Sequence, residues 1–178
     1  DNIGLDSIYI FYSSTNGLEY LQVGSIDAEV SEFDFTVPLG VTDSAVVKLL
    51  AIDINSNQSQ VISDIFSVTD NTSPEVSVSD PGEVYIGSDI SLNWEATDNT
   101  GIDYAKVYFS ENSGQTFVQI DSVDGDLNSV IWTVPNVDTE TAVVAVIVTD
   151  MVGLTDADTT QTFAILDGVF PQVQITSP

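Results

Sequence analysis

Short runs in which apolar and polar residues alternate recur along the whole chain, and none has the spacing of an amphipathic helix. Ile8, Ile10 and Tyr12 alternate with Tyr9 and Phe11, and Ile90, Leu92 and Trp94 repeat the alternation further on. Residues 104–109, 117–120 and 130–132 are short stretches rich in β-branched and aromatic side chains. Each is bounded by Gly, Asn, Asp or Pro, which predicts strands separated by turns. Residues 143–148 are apolar throughout, the pattern of a central strand covered on both faces. The chain is therefore expected to be all-β.

Internal repetition organises these strands. Displaced by 97 residues (98 − 1 = 97), the chain matches itself without a gap. Asp1-Asn2-Ile3-Gly4-Leu5-Asp6 falls on Asp98-Asn99-Thr100-Gly101-Ile102-Asp103, and Gly17 falls on Gly114. Thr36-Val37-Pro38 falls on Thr133-Val134-Pro135, Ala45-Val46-Val47 on Ala142-Val143-Val144, and Asp53 on Asp150. A 97-residue period is too long for a solenoid unit and is close to the ~100 residues of an immunoglobulin-type sandwich. The fold expected is a tandem of immunoglobulin-like antiparallel β-sandwiches.

The phase of the repeat sets the expected boundaries. Asp70-Asn71-Thr72-Ser73-Pro74 is polar and ends in proline, as linkers do, and Asp167-Gly168-Val169-Phe170-Pro171 is its counterpart. Residues 71–167 then form one complete domain, residues 1–70 a domain lacking its first strands, and residues 168–178 the start of another. Gln172–Thr176 supplies one strand, too little to complete the first copy, so the chain reads as a window on a longer array. The opening Asp1-Asn2-Ile3-Gly4 reads as the middle of a sequence in the same way. A filament subunit that exchanges strands with its neighbours is the alternative.

Composition narrows the chemistry. Apolar residues make up 43% of the 178 positions, enough for a core. Against 28 Asp and Glu stand only 2 Lys and Arg, a formal net charge of −26. Such a polyanion repels phosphate backbones and anionic lipid surfaces, which excludes nucleic acid and membrane surfaces as partners. It attracts cations. No apolar run approaches the ~18 residues of a membrane span, so no membrane insertion is expected. His and Cys are absent, which removes Ser-His-Asp and Cys-His machinery, disulfides, and the nitrogen and sulfur ligands of zinc. No Arg is present to clamp phosphate. A glycosidase-type carboxylate pair is the one catalytic device left, and no pair recurs in a setting that suggests it. The expectation is a protein that is not an enzyme.

The linker Asp70-Asn71-Thr72-Ser73-Pro74-Glu75-Val76-Ser77-Val78 and the segment Ala96-Thr97-Asp98-Asn99-Thr100-Gly101-Ile102-Asp103 point to a family. The hairpin from Tyr108-Phe109-Ser110 to Ser113-Gly114-Gln115-Thr116-Phe117, the strand end Trp132-Thr133-Val134-Pro135 and Val148-Thr149-Asp150-Met151-Val152-Gly153 point the same way. In these features the chain resembles the bacterial immunoglobulin-like and fibronectin-III-like repeats of large secreted surface proteins. That resemblance implies an extracellular, cell-surface location and a non-catalytic structural role in an adhesin, stalk or filament. Its implied partners are neighbouring copies of the same repeat, with a surface glycan or protein at a functional tip. Similar repeats also decorate secreted hydrolases, so a carbohydrate- or protein-binding accessory module of a secreted enzyme stays open.

Most carboxylates are expected on outward positions of strands and turns, where they keep edges unpaired. Asp121, Asp124 and Asp126 are spaced D-x-x-D-G-D, which departs from the EF-hand pattern and reads as a hairpin tip. A second set falls at one end of the expected sandwich, where the linker, the loop after the second strand and the loop before the last strand meet. It comprises Asp70, Asn71, Asp98, Asn99, Asp103 and Asp150, with Asp1, Asn2, Asp6 and Asp53 as the equivalents in the first copy. Carboxylate, amide and backbone oxygens from three loops suit the roughly 6–8 hard ligands of Ca²⁺. Asp-Asn-x-Gly is equally a good turn sequence. Calcium at the domain junctions, stiffening them, and plain turns are the two readings of this set.

Overall fold

A computed structural model describes residues 4–169 and 171–176. Every regular element among them is a strand, so the protein is all-β, and no helix there is long and apolar enough to cross a membrane. The chain divides into two compact units, Asp1–Asp70 and Asn71–Pro178.

Unit 1 is a single five-stranded antiparallel sheet. Strands β1 (Leu5–Ser13), β2 (Leu21–Asp27), β3 (Thr42–Asp53) and β4 (Gln58–Ile62) lie in the order β2-β1-β3-β4, and β5 (Phe66–Val68) pairs with the start of β3. The turn after β1 is closed by Ser13, whose hydroxyl accepts the backbone N–H of Thr15 at 3.2 Å and of Gly17 at 3.0 Å. Gly17 has φ +82°, a conformation that costs glycine little and other residues more.

Unit 2 opens with β6 (Glu75–Val78), β7 (Val84–Tyr85) and β8 (Asp89–Thr97), followed by β9 (Ile102–Ser110) and β10 (Val118–Asp124). Then come β11 (Ser129–Thr133), β12 (Thr139–Asp150), β13 (Thr155–Thr159) and β14 (Phe163–Leu166). They form a six-stranded sheet, β10-β9-β12-β14-β7 with β13 on β12, and a three-stranded sheet, β11-β8-β6. Side chains from both sheets meet in one core: Leu92, Trp94, Val130 and Trp132 from the smaller, and Ala105, Val107, Val144, Val146 and Val148 from the larger. Alternation along β8, β9 and β11 supplies alternate inward side chains. In β12 nearly every residue from Ala142 to Asp150 is buried, as its continuous apolar run anticipates. The D-x-x-D-G-D segment is not the hairpin tip expected of it: Asp121 lies within β10, and the turn after Asp124, where the Leu127 N–H donates to the Asp124 carbonyl at 3.0 Å, leads from the six-stranded sheet to β11 of the three-stranded one.

The five strands of unit 1 coincide in register with five of unit 2. Strands β9, β10, β12, β13 and β14 each begin 97 residues after β1, β2, β3, β4 and β5 (102 − 5 = 97). Irregularities shift equally. The break in the β3–β5 ladder between Thr42 and Ala45 matches that in β12–β14 between Thr139 and Ala142. The Ser13 turn matches that of Ser110, whose hydroxyl accepts from Asn112 and Gly114.

Two differences stand out. The segment equivalent to β11, residues 32–36, forms no strand in unit 1. In unit 2 β11 pairs with β8, and unit 1 has no described equivalent of β8 to hold it. The second difference concerns β6. Its Val76 and Val78 N–H groups donate to the carboxylates of Asp156 (3.1 Å) and Asp158 (2.8 Å) on β13, so these acids clasp one strand to another. The unit 1 equivalents are Ser59 and Val61. Among the described residues, 172–176 pair with no neighbour.

Candidate metal centre

Strand register brings three chain segments to one end of unit 2. Glu75, the first residue of β6, pairs with Thr97, the last of β8, so the connecting segment that ends at Pro74 runs past the start of the Asp98 loop. Ile102, the first residue of β9, pairs with Asp150, the last of β12. The Met151 N–H donates to the Gly101 carbonyl at 3.2 Å and ties the two loops together.

Each loop is shaped by its aspartate. One carboxylate oxygen of Asp98, Oδ2, accepts the Thr100 N–H at 2.6 Å, the Thr100 hydroxyl at 2.8 Å and the Gly101 N–H at 3.0 Å. Gly101 takes φ +97°, a backbone conformation that side-chain-bearing residues rarely adopt and glycine does readily. In the other loop Asp150 Oδ1 accepts the Val152 N–H at 2.9 Å and the Leu154 N–H at 2.8 Å. Asp150 is 1% exposed.

The remaining oxygens are the notable ones. Asp98 Oδ1 and Asp150 Oδ2 are buried and have no hydrogen-bond partner; they are the buried side-chain atoms left so among the described residues. A buried carboxylate oxygen without a donor costs at least ~1–3 kcal/mol, more when charged. Carboxylate oxygens of Asp70, Asp98 and Asp150, one from each, lie within 4.8 Å of one another. Three like charges gathered this closely repel, and the arrangement is favourable once a cation lies among them. Two oxygens on opposite sides of an ion with ~2.4 Å bonds are ~4.8 Å apart, so the group can hold a metal ion of that size.

Of the residues named from the sequence, the structure gathers Asp70, Asp98 and Asp150. Asn71 and Asn99 are exposed neighbours in the chain, and Asp103 is exposed at the start of β9, outside the group. Asp1 and Asn2 lie outside the described residues. Asp6 is exposed on β1, with the Ser7 hydroxyl donating to it at 3.3 Å. Asp53 ends β3 as Asp150 ends β12, and its Oδ1 likewise accepts two backbone N–H groups, from Asn55 at 2.9 Å and Asn57 at 2.8 Å. Its Oδ2 differs: the Asn57 side-chain amide donates to it at 2.7 Å. That hydrogen bond is the main cause of an Asp53 pKa below its ordinary value, with smaller support from the two backbone donors against a desolvation effect that raises it. The clasps at Asp156 and Asp158 are structural roles that sequence reading missed, since alternation on an exposed strand gave them no distinguishing mark.

Phe11 on β1 and Tyr104 on β9 each make a contact within their unit. Phe11 meets Tyr20 edge-on at 6.4 Å, with the Lys48 ammonium 3.8 Å from the Tyr20 ring centroid, and Lys106 lies 5.0 Å from that of Tyr104. No protein-family model matches the chain, and a search of curated proteins finds no match.

Proposed function

We propose that this chain is a non-catalytic structural segment of an extracellular cell-surface array, an adhesin, stalk or filament of tandem immunoglobulin-like domains, with calcium holding the connection into unit 2. One observation carries the reading. Five strands, their bulges and their turn-closing hydroxyls recur at a constant 97-residue displacement, as they do when one module is joined to another like it. The acidity supports an exposed setting rich in divalent cations.

Calcium is the cation the donors favour. The chain has no His or Cys to supply softer ligands, and three carboxylates on separate segments suit a large ion that accepts irregular oxygen geometry. Asp98 Oδ1 and Asp150 Oδ2 would bind it directly with Asp70, and water or backbone oxygens would complete the shell. The ion would hold the Asp98 and Asp150 loops of unit 2 together. Calorimetric titration of chelator-treated protein is expected to show saturable binding of one Ca²⁺, abolished by Asp150→Asn. A glycan array is expected to show no hit; a saturable glycan hit would favour the accessory-module reading and overturn this one.

A further inference from the structure

We infer that the residue four places after the strand-ending aspartate, Leu154 in unit 2 and Asn57 in unit 1, decides whether that aspartate requires a cation. The inference rests on the calcium reading above and deepens it. The two loops are alike in backbone. Asp150 N–H donates to the Leu154 carbonyl at 2.9 Å and Asp53 N–H to the Asn57 carbonyl at 3.0 Å. Leu154 N–H and Asn57 N–H each donate to the Oδ1 of their aspartate at 2.8 Å. Side chains at 154 and 57 therefore start from matching positions relative to the carboxylate.

What they carry differs. Asn57 places an amide N–H 2.7 Å from Asp53 Oδ2, supplying inside the protein the positive partner that oxygen needs. Leu154 has no donor, and Asp150 Oδ2 stays buried and unpartnered in a residue that is 1% exposed. A buried carboxylate oxygen is satisfied by a hydrogen-bond donor or by a metal ion. Leucine supplies no donor from the protein, and asparagine supplies one. Asn57 is thus a built-in substitute for the ion. The Asp53 loop holds its shape without calcium.

The test compares calcium chloride titrations and thermal melts of the full chain as wild type, Leu154→Asn, Leu154→Gln and the control Leu154→Met. Wild type and Leu154→Met should bind Ca²⁺ within twofold of each other. An amide at position 154 should weaken binding at least tenfold and, in chelator, raise the melting temperature of unit 2 above that of wild type. Loss of affinity together with a gain in metal-free stability is a signature that mere damage to the loop does not give, and Leu154→Gln serves if the shorter amide disturbs folding. Wild type that binds no Ca²⁺ overturns the calcium reading and this inference with it. Wild-type binding with unchanged affinity in both amide variants overturns this inference alone.

Discussion

Units 1 and 2 lay down the same five strands, yet they bury them differently. In unit 2 the sheet β11-β8-β6 covers the larger sheet, and Val130 and Phe163 are each 7% exposed. Their unit 1 counterparts, Phe33 and Phe66, are each 37% exposed, although both are larger or equal in size. The ladder hydrogen bonds of unit 1 lie within the five strands themselves. Burial depends on a second sheet, and so does the strand β11, which pairs with β8. Register is thus a property of one sheet, and a core is a property of two.

The largest consequence concerns the aromatic at one equivalent position. Trp132 packs against Phe109 at a ring distance of 4.9 Å and is 9% exposed, so Trp132→Ala should destabilise unit 2 by ~3–5 kcal/mol. Phe35, its half-buried counterpart, stacks on the exposed Phe33 at 6.5 Å, and Phe35→Ala should cost no more than about 2 kcal/mol. Urea unfolding followed separately in each unit checks this. Equal losses would mean that the covering sheet of unit 2 does not account for the difference in burial.

A smaller effect is expected at the acids that clasp β6. Replacing Asp156 or Asp158 singly by Ala leaves the Val76 or Val78 N–H group without that acceptor, at about 1.5–3 kcal/mol for the charge-assisted bond. Amide exchange at Val76 and Val78 should accelerate accordingly. Replacing Ser59 and Val61 in unit 1 should leave stability nearly unchanged, because no clasped strand is described there.

The smallest effect is a shift with pH. Asp53 has a folded-state pKa below the ordinary 3.8, chiefly through Asn57. A depressed folded value means that this carboxylate favours the folded state above its unfolded pKa, and that the contribution fades as pH falls through the folded value. Asn57→Ala should move the Asp53 titration, followed by NMR, up toward 3.8 and remove that acid-side contribution. An unmoved titration would show that the backbone donors of Asn55 and Asn57 suffice.

The strands were legible in the sequence because period-two alternation and the gapless 97-residue match are written in side-chain type alone. Residues 143–148 announced a central strand in the same way. The loss of a strand at residues 32–36 was not legible, since Phe33 and Phe35 alternate as Val130 and Trp132 do. What differs is the presence of a pairing neighbour, which lies outside the segment. The site was legible as a gathering of loops: Asp70, Asp98 and Asp150 follow from strand order. Asp103 was grouped with them by nearness in sequence, but β9 begins at Ile102 and carries it away, exposed. Nor does sequence show which oxygen of an aspartate is satisfied. The contrast between Asp53 and Asp150 rests on one side-chain amide at Asn57, which reads in the sequence as an ordinary loop residue.

The central claim is that unit 2 contains a cation-dependent buried site and unit 1 an independent counterpart. It is tested most directly by melting the full chain with calcium and with chelator while observing each unit. At a calcium concentration about a hundredfold above Kd, binding should stabilise unit 2 by ~2.7 kcal/mol, raising its transition by more than about 10 °C and leaving unit 1 in place. A transition of unit 2 that is the same in calcium and in chelator would contradict the account.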